Sequence, residues 1–389
     1  MRRAWLLVVS ACAGHSAPVT LPSARASEVA PVAPTSCAIT PEPARKLAIP
    51  ARLARLAPQY FHASGREGFN DLVQGTDHYA WFDPSDLDVP IDPPAGWSDI
   101  RRSTPHFFFG WTSDAASYVA RRGDAKSVKL AAPIVYDEDA VEDAHGLWLL
   151  LGNDSQVRLV RVLPSLESSS WTLATKPANE VDRRIAMTSN GRVAVVWVAR
   201  VSTGLDLMAS WLGASGFEPA IAIDHATMSA GAADLSLRST VELRAATDVD
   251  GAAVAWRPLA PEGRVDVGSE SEPPSHAVAA QIRIVTIAPG RAPTPARVHP
   301  TIADKLDFTT GVGPWPLEGN GMTSSSVRGH AFFAWIENGN EVVLAAPRDA
   351  RPRVIGSGAP RLVTRPSRDG VELLLLSVDG QSLVPITCR

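Results

Sequence analysis

The chain has 389 residues, with 37 Lys and Arg against 41 Asp and Glu, and its formal net charge is −4. This balance argues against a nucleic-acid partner, because nucleic-acid-binding domains carry a clustered excess of basic side chains. Hydrophobic residues make up 45% and charged residues 20% of the sequence, which is typical of a globular protein. The length suits two domains or one large radial fold.

The first residues, "MRRAWLLVVSACAG", have the layout of a secretory signal. Two arginines precede a short apolar run, and small residues follow it. The run is too short to cross a membrane, because a spanning helix needs about 20 residues. We therefore predict export to a compartment in which disulfides persist.

Residues 9–12 of this segment, Val-Ser-Ala-Cys, resemble the lipobox of bacterial lipoproteins. The resemblance implies a signal peptide over residues 1–11, cleavage before Cys12 and lipid on Cys12. It also implies a place in the cell envelope, on the periplasmic or cell-surface side of a bacterial membrane, since two or three acyl chains give stable anchoring. An ordinary signal peptide with an incidental cysteine is the alternative.

Residues 12–36 are rich in Pro, Ala and Ser and have no periodic apolar face. This composition predicts a flexible, partly extended tether. We expect the tether to separate the membrane from a globular domain over residues 37–389.

Short apolar stretches recur along that domain, most of them with Trp and four of them ending in it. Each is four or five residues long, the length of a buried strand. There are seven: "YAWF", "FFFGW", "LWLLL", "VAVVW", "AAVAW", "FFAW" and "ELLLL". Their start-to-start spacings are 28, 40, 46, 59, 80 and 40 residues, and a period near 40 to 50 is typical of propeller blades.

The flanking sequence predicts four antiparallel strands in each unit. In the fourth unit these are "RRIAMTS", "RVAVVWVAR", "LDLMASWLG" and "FEPAIAID", with the turn Asn190-Gly191 between the first two. Asn-Gly and Asp-Gly between apolar runs are strong hairpin signals. The Trp that ends the second strand is expected to pack between neighbouring blades.

The pattern resembles β-propellers as an architecture and matches no specific propeller family. We predict an all-β propeller with seven blades, with six or eight as alternatives and the first unit as an incomplete blade. A pair of β-sandwiches is the alternative fold. The last unit lacks a fourth strand, and residues 37–40 can supply it, which would close the ring.

The sequence contains three cysteines. If Cys12 carries lipid, Cys37 and Cys388 remain as the one available pair. In the predicted closure, the end of the third strand faces the start of the fourth, which would set Cys388 opposite Cys37. We therefore predict a Cys37–Cys388 disulfide.

Two acidic runs are candidate metal sites. One contains Asp83, Asp86, Asp88 and Asp92; the other contains Asp137, Glu138, Asp139, Glu142, Asp143 and His145. Neither has the spacing of a calcium-binding EF-hand, so solvated loops are the preferred interpretation of both. The histidines lack zinc-motif spacing, and nucleophile elbows and phosphate-binding loops are missing from the sequence. We predict no catalytic residue, no metal and no cofactor.

The leading functional prediction is a lipid-anchored propeller that binds protein or carbohydrate. A glycan-active hydrolase or lyase with its site at the propeller axis is the alternative, and a scaffold subunit of an envelope complex is the third reading. Acidic, basic or tyrosine side chains around the axis would favour the enzyme. Exposed aromatics in the loop 301–321, such as Trp315, would favour binding.

Overall fold

The structure is a computed structural model. It describes residues 38–46, 61–62, 72–74, 79–82, 90–91, 97–104, 106–112, 116–124, 126–130, 136–152, 156–173, 180–227, 242–258, 278–303, 322–337, 341–357, 361–367, 370–377 and 380–389. The predicted signal peptide, the tether, Cys12 and Cys37 lie outside these residues, as do Asp83, Asp86, Asp88, Asp92 and Trp315. In the described part of the chain, no helix is long and apolar enough to cross a membrane.

The described residues form strands that pair into seven sheets. The chain begins with β1 (Ile39–Pro41) and β2 (Arg45–Lys46), which belong to the last sheet. Sheet 1 contains β3 (Phe61–His62), β4 (Leu72–Gln74), β5 (Tyr79–Phe82) and β6 (Pro90–Ile91). Sheet 2 contains β7 (Trp97–Ser103), β8 (Phe107–Thr112), β9 (Ser117–Arg121) and β10 (Ser127–Lys129). Sheet 3 contains β11 (Tyr136–Asp143), β12 (Gly146–Gly152), β13 (Val157–Val162) and β14 (Ser168–Leu173).

The second half of the chain repeats this arrangement. Sheet 4 contains β15 (Glu180–Met187), β16 (Val193–Val201), β17 (Gly204–Gly213), β18 (Gly216–Phe217) and β19 (Ile221–Thr227). Sheet 5 contains β20 (Glu242–Asp248), β21 (Gly251–Arg257), β22 (Val278–Ile287) and β23 (Arg297–Ala303). Sheet 6 contains β24 (Met322–Val327), β25 (His330–Glu337), β26 (Glu341–Ala345) and β27 (Arg353–Ser357). Sheet 7 contains β28 (Arg361–Ser367), β29 (Gly370–Ser377) and β30 (Gly380–Cys388), with β1 and β2 paired to β30.

All of these pairings are antiparallel and mostly join strands that follow one another in sequence. Six of the seven apolar stretches lie on the second strand of their sheet. "YAWF" is the exception, because β5 is the third strand of sheet 1. That difference explains the short first spacing, and sheet 1 has four described strands where an incomplete blade was expected.

The described side chains of the hydrophobic core form separate clusters, each shared by two consecutive sheets. Trp148 of sheet 3 and Trp197 of sheet 4 belong to one cluster, Trp256 packs against sheet 4, and Trp335 packs against sheet 5. Two further clusters join sheets 2 and 3 and sheets 6 and 7. The prediction that the Trp near the end of the second strand lies between neighbouring units is therefore confirmed for Trp197, Trp256 and Trp335.

The first strands of consecutive sheets contact one another, from β11 through β15, β20 and β24 to β28. Antiparallel sheets that pack face to face around an axis, with their first strands innermost and side by side, form a β-propeller. The predicted fold class is thus confirmed. Both junctions of sheet 1 lie outside the described side chains, so the count of seven blades and the ring closure stay predictions.

The N-terminal strand β1 pairs with β30, as the closure requires. Ile39 lies opposite Cys388, and the backbones of Ala38 and Arg389 exchange hydrogen bonds of 2.8 and 3.1 Å. The expectation that Cys388 would lie directly opposite Cys37 is wrong, because the pairing continues to the last residue and shifts the register by two positions. The disulfide of Cys388 stays a prediction, because Cys37 lies outside the described residues.

Candidate functional site

The first strands of the sheets line a small axial opening of about 20 Å³, part of which is open to solvent. Four first strands contribute to its wall. The lining residues are Val141, Met187, Ala245, Ala246, Thr247, Ser324, Ser325 and Ser326. None of these eight side chains is an acid or a base near neutral pH. The wall of this opening is therefore neutral.

The second acidic run lies on β11 and the turn after it, so the expectation of a solvated loop is wrong. Asp139 is buried and accepts hydrogen bonds from the backbone N–H groups of Ala140 (3.1 Å) and Ile185 (2.8 Å). Because Ile185 is on β15, the Asp139 carboxylate ties sheet 3 to sheet 4. A carboxylate that receives two backbone N–H groups is well satisfied in a buried position.

Other acids of this run have structural partners as well. Glu142 accepts a hydrogen bond from the backbone N–H of His106 (3.0 Å) and contacts the His106 ring. Asp143 accepts from Trp148 Nε1 at 3.0 Å and from the backbone N–H of His145 at 2.7 Å. Among the residues that the structure describes, no three His, Cys, Asp or Glu side chains gather as a metal site would require.

A charged contact joins β19 of sheet 4 to sheet 5. Asp224 Oδ2 accepts from Arg283 Nε at 2.7 Å, and Asp224 Oδ1 accepts from Arg283 Nη2 at 2.7 Å. Asp224 Oδ2 also accepts from Trp256 Nε1 at 2.8 Å. These side chains are largely buried, and the two-point geometry makes the ion pair specific in orientation.

This ion pair lies near one edge of sheet 5, which we call the sheet 5 edge. Antiparallel pairing places the starts of β20 and β22 beside the ends of β21 and β23, with Glu242 opposite Arg257 and Val278 opposite Ala303. Glu242 and Arg257 form an ion pair there and are 16% and 13% exposed. Three long stretches of sequence, 228–241, 259–277 and 304–321, connect at this edge and lie outside the described residues.

Sequence reasoning identified two of these connections as long loops but missed the charged residues beneath them. Asp224 and Arg283 are 59 positions apart in sequence, and Asp224 contacts Arg283 from the neighbouring sheet 4. The sequence alone does not predict this ion pair, because neither residue belongs to a local motif. The edge presents paired charges on the strands from which these connections leave.

A second contact between sheets involves a histidine. His299 on β23 lies in the junction between sheets 5 and 6 and stacks on Trp335 of β25, with ring centroids 6.2 Å apart and planes at 30°. Among the described residues, His299 Nε2, Thr301 Oγ1 and Trp335 Nε1 are buried without a hydrogen-bond partner. Burial, reinforced by the nearby Arg297 cation and partly offset by Asp349, lowers the pKa of His299 below its usual 6.5.

No protein-family model and no curated protein matches the sequence. Among solved structures, the chain is similar to a mutant of AofleA from Arthrobotrys oligospora, at 10% identity and a TM-score of 0.40, over 76% of this chain and 81% of that one. It is also similar to a mutant Aleuria aurantia lectin in complex with alpha-methyl-L-fucoside, at 9% identity and a TM-score of 0.36, over 72% and 89%. A third similarity is to the polysaccharide lyase Uly1, at 8% identity and a TM-score of 0.32, over 90% and 99%.

Proposed function

We propose that this chain is a lipid-anchored, extracytoplasmic β-propeller that binds a protein or a carbohydrate of the bacterial cell envelope. The observation that carries the binding role is the neutral wall of the axial opening, formed by side chains such as Val141, Thr247 and Ser325. A glycosidase needs a pair of carboxyl groups beside the scissile bond, and a lyase needs a base within reach of the proton it removes.

The sheet 5 edge supports the same proposal. The Asp224–Arg283 and Glu242–Arg257 ion pairs fix neighbouring strand ends from which three long connections leave. Long connections on a rigid scaffold are a common location for binding residues. A rigid support also lowers the ordering cost of binding, because fewer groups lose freedom when the ligand arrives.

The anchor and the ring closure belong to the proposal as well. The lipobox sequence supports lipid on Cys12, and the tether over residues 12–36 supports a domain that stands away from its membrane. If the register of β1 with β30 continued two residues before Ile39, that position would lie on the same face of the sheet as Cys388 and diagonally across from it. Cys37 is at that position in the sequence, so we propose it as the disulfide partner of Cys388.

The test uses the full-length lipidated protein, purified from bacterial envelopes in detergent. The protein is screened against a glycan array and, in parallel, cross-linked to envelope proteins before affinity capture. A Cys12→Ser variant, which has lost the attachment site, is the control for contacts that depend only on the membrane. We expect a ligand that both forms bind.

The same glycans are then incubated with the protein, and new reducing ends or unsaturated products are measured. Binding without product formation supports the binding role. Turnover of any polysaccharide would replace this proposal with the hydrolase or lyase alternative. Recovery of neither a glycan nor a protein partner would contradict it.

A further inference from the structure

The junction between sheets 5 and 6 surrounds a histidine with apolar side chains. His299 is 6% exposed, and Trp335, on which it stacks, is 1% exposed. On its own sheet, His299 lies opposite Ile282. Ile282 and Trp335 belong to one hydrophobic cluster with Phe333 and Val343. The imidazole is therefore a polar group inside the packing between two sheets.

The junction between sheets 4 and 5 has an equivalent contact but differs in the charges around it. At both junctions, a side chain on the last strand of one sheet contacts a Trp on the second strand of the next. Between sheets 4 and 5 these are Asp224 and Trp256, and Arg283 lies opposite Trp256 to neutralise the carboxylate. Between sheets 5 and 6 they are His299 and Trp335, and the residue opposite Trp335 is Val343. The equivalent position thus offers no charge to a protonated His299.

The charged groups that face His299 also disfavour its protonation. Arg297, on the same strand, donates to the backbone carbonyls of Arg348 and Asp349 at 2.9 and 2.8 Å, which holds its cation near the junction. The Asp349 carboxylate already accepts from the Ala346 backbone N–H at 2.9 Å and lies 3.4 Å from Arg353 Nη2.

The remaining charges on this side are also paired. The Arg348 side chain forms an ion pair with Asp250. A second positive charge on His299 would therefore be buried close to Arg297, with Asp349 as a shared and incomplete counterion. Burial of a charge without a dedicated partner is costly.

We propose that the junction between sheets 5 and 6 is an acid-sensitive contact, which stays closed while His299 is neutral and opens when His299 takes up a proton. In the open state, solvent reaches the imidazole, which then binds a proton with its usual affinity. Since the open state binds the proton more tightly than the closed state, acid shifts the equilibrium towards opening. The contact is fully stable above pH 6.5 and weakens as the pH falls below that value.

The expected change in the opening equilibrium constant follows from the uptake of one proton. The opening equilibrium constant rises by at most about tenfold for each pH unit below 6.5. The rise ends once His299 is protonated in the closed state as well. Separation of the two sheets would expose β23, which ends at Ala303 immediately before the connection 304–321.

The test is hydrogen exchange measured by mass spectrometry at pH 7.5, 6.5, 5.5 and 4.5, corrected for the intrinsic pH dependence of exchange. The wild type is compared with His299→Gln, which keeps a polar side chain but does not titrate. His145→Gln, at an exposed position in the β11–β12 turn, is the matched control. We expect acid to increase the exchange of peptides from β23 and β25 in the wild type and in His145→Gln, and to leave His299→Gln unchanged.

Equal acid-induced exchange in the wild type and in His299→Gln would overturn the proposal, and so would the absence of any increase in the wild type. A second measurement is independent of whether the variant folds. The ring protons of His299 are followed by NMR in the wild type as the pH is lowered. A titration midpoint below 6.5 supports the proposal, and a midpoint at or above 6.5 contradicts it.

Discussion

Asp224 and Arg283 join sheets 4 and 5 through two parallel hydrogen bonds, each 2.7 Å long. The same carboxylate accepts a third hydrogen bond from Trp256 Nε1. The side chains of Arg283 and Asp224 are 16% and 8% exposed. Because both are largely buried, the contact matters chiefly when one partner is lost, since the other then remains as an uncompensated charge.

We expect Asp224→Ala to lower the free energy of unfolding by about 3 kcal/mol or more, the usual cost of breaking a buried ion pair. Urea denaturation monitored by circular dichroism measures this change. The matched control is Glu218→Ala, which removes an ion pair with Arg192 whose partners are 43% and 46% exposed. The control is expected to cost no more than about 1 kcal/mol. Similar losses for the two variants would show that Asp224 does not hold the sheets together.

Two buried tryptophans at equivalent places differ in their hydrogen bonding, which allows a direct comparison. Trp256 Nε1 donates to Asp224, whereas Trp335 Nε1 has no hydrogen-bond partner among the described residues. We expect Trp256→Phe to cost about 1.5–3 kcal/mol more than Trp335→Phe, because only the first substitution removes a hydrogen bond to a charged group.

The loss of ring volume is the same in both variants, so it contributes a similar cavity cost to each. The comparison uses the free energy of unfolding from denaturant titrations at pH 7.5, where His299 is neutral. An equal or larger loss for Trp335→Phe would contradict the assigned hydrogen bond.

Gly251, at the start of β21, occupies a position that excludes a side chain. Its φ is +154°, and a Cβ there would lie 2.1 Å from the backbone oxygen of Ile287. Gly191 also has a positive φ, of +78°, but a Cβ there would meet no atom within 4 Å. We expect Gly251→Ala to be strongly destabilising, and Gly191→Ala to cost about 1–2 kcal/mol from backbone conformation alone.

Thermal unfolding of the two glycine variants measures this difference. Gly251→Ala should give the larger decrease in Tm or fail to accumulate as folded protein. If both variants unfold at the same temperature, the close approach between Gly251 and Ile287 is not as described.

The sequence predicted the strands well because their determinants are local. In sheet 4, the turn Asn190-Gly191 and the alternation of "LDLMASWLG" predict β16 and β17 within a few residues of their observed bounds. "YAWF" was assigned to the wrong strand of its unit, because a short apolar run does not reveal its rank within a sheet. The predicted register that set Cys388 opposite Cys37 was wrong for a similar reason, because the register of two strands depends on contacts between distant segments.

The polar contacts were harder to predict than the strands. Asp139 was interpreted as part of a solvated loop, because an acidic run in isolation suggests exposure. Its burial depends on the backbone N–H of Ile185, 46 positions away in another sheet. The Asp224–Arg283 pair is likewise a product of how the sheets stack, which one sequence does not encode in any short pattern.

A peptide map tests most directly whether this protein is a lipid-anchored propeller whose ring closes at the paired strands β1 and β30. The protein is isolated from envelopes, digested without reductant and analysed by mass spectrometry, then digested again after reduction. We predict an N-terminal peptide that begins at lipid-modified Cys12, and a peptide in which Cys37 is linked to Cys388 and which separates on reduction. An unmodified Cys12 with the preceding residues still attached would contradict the anchor, and Cys37 and Cys388 recovered as free thiols would contradict the closure.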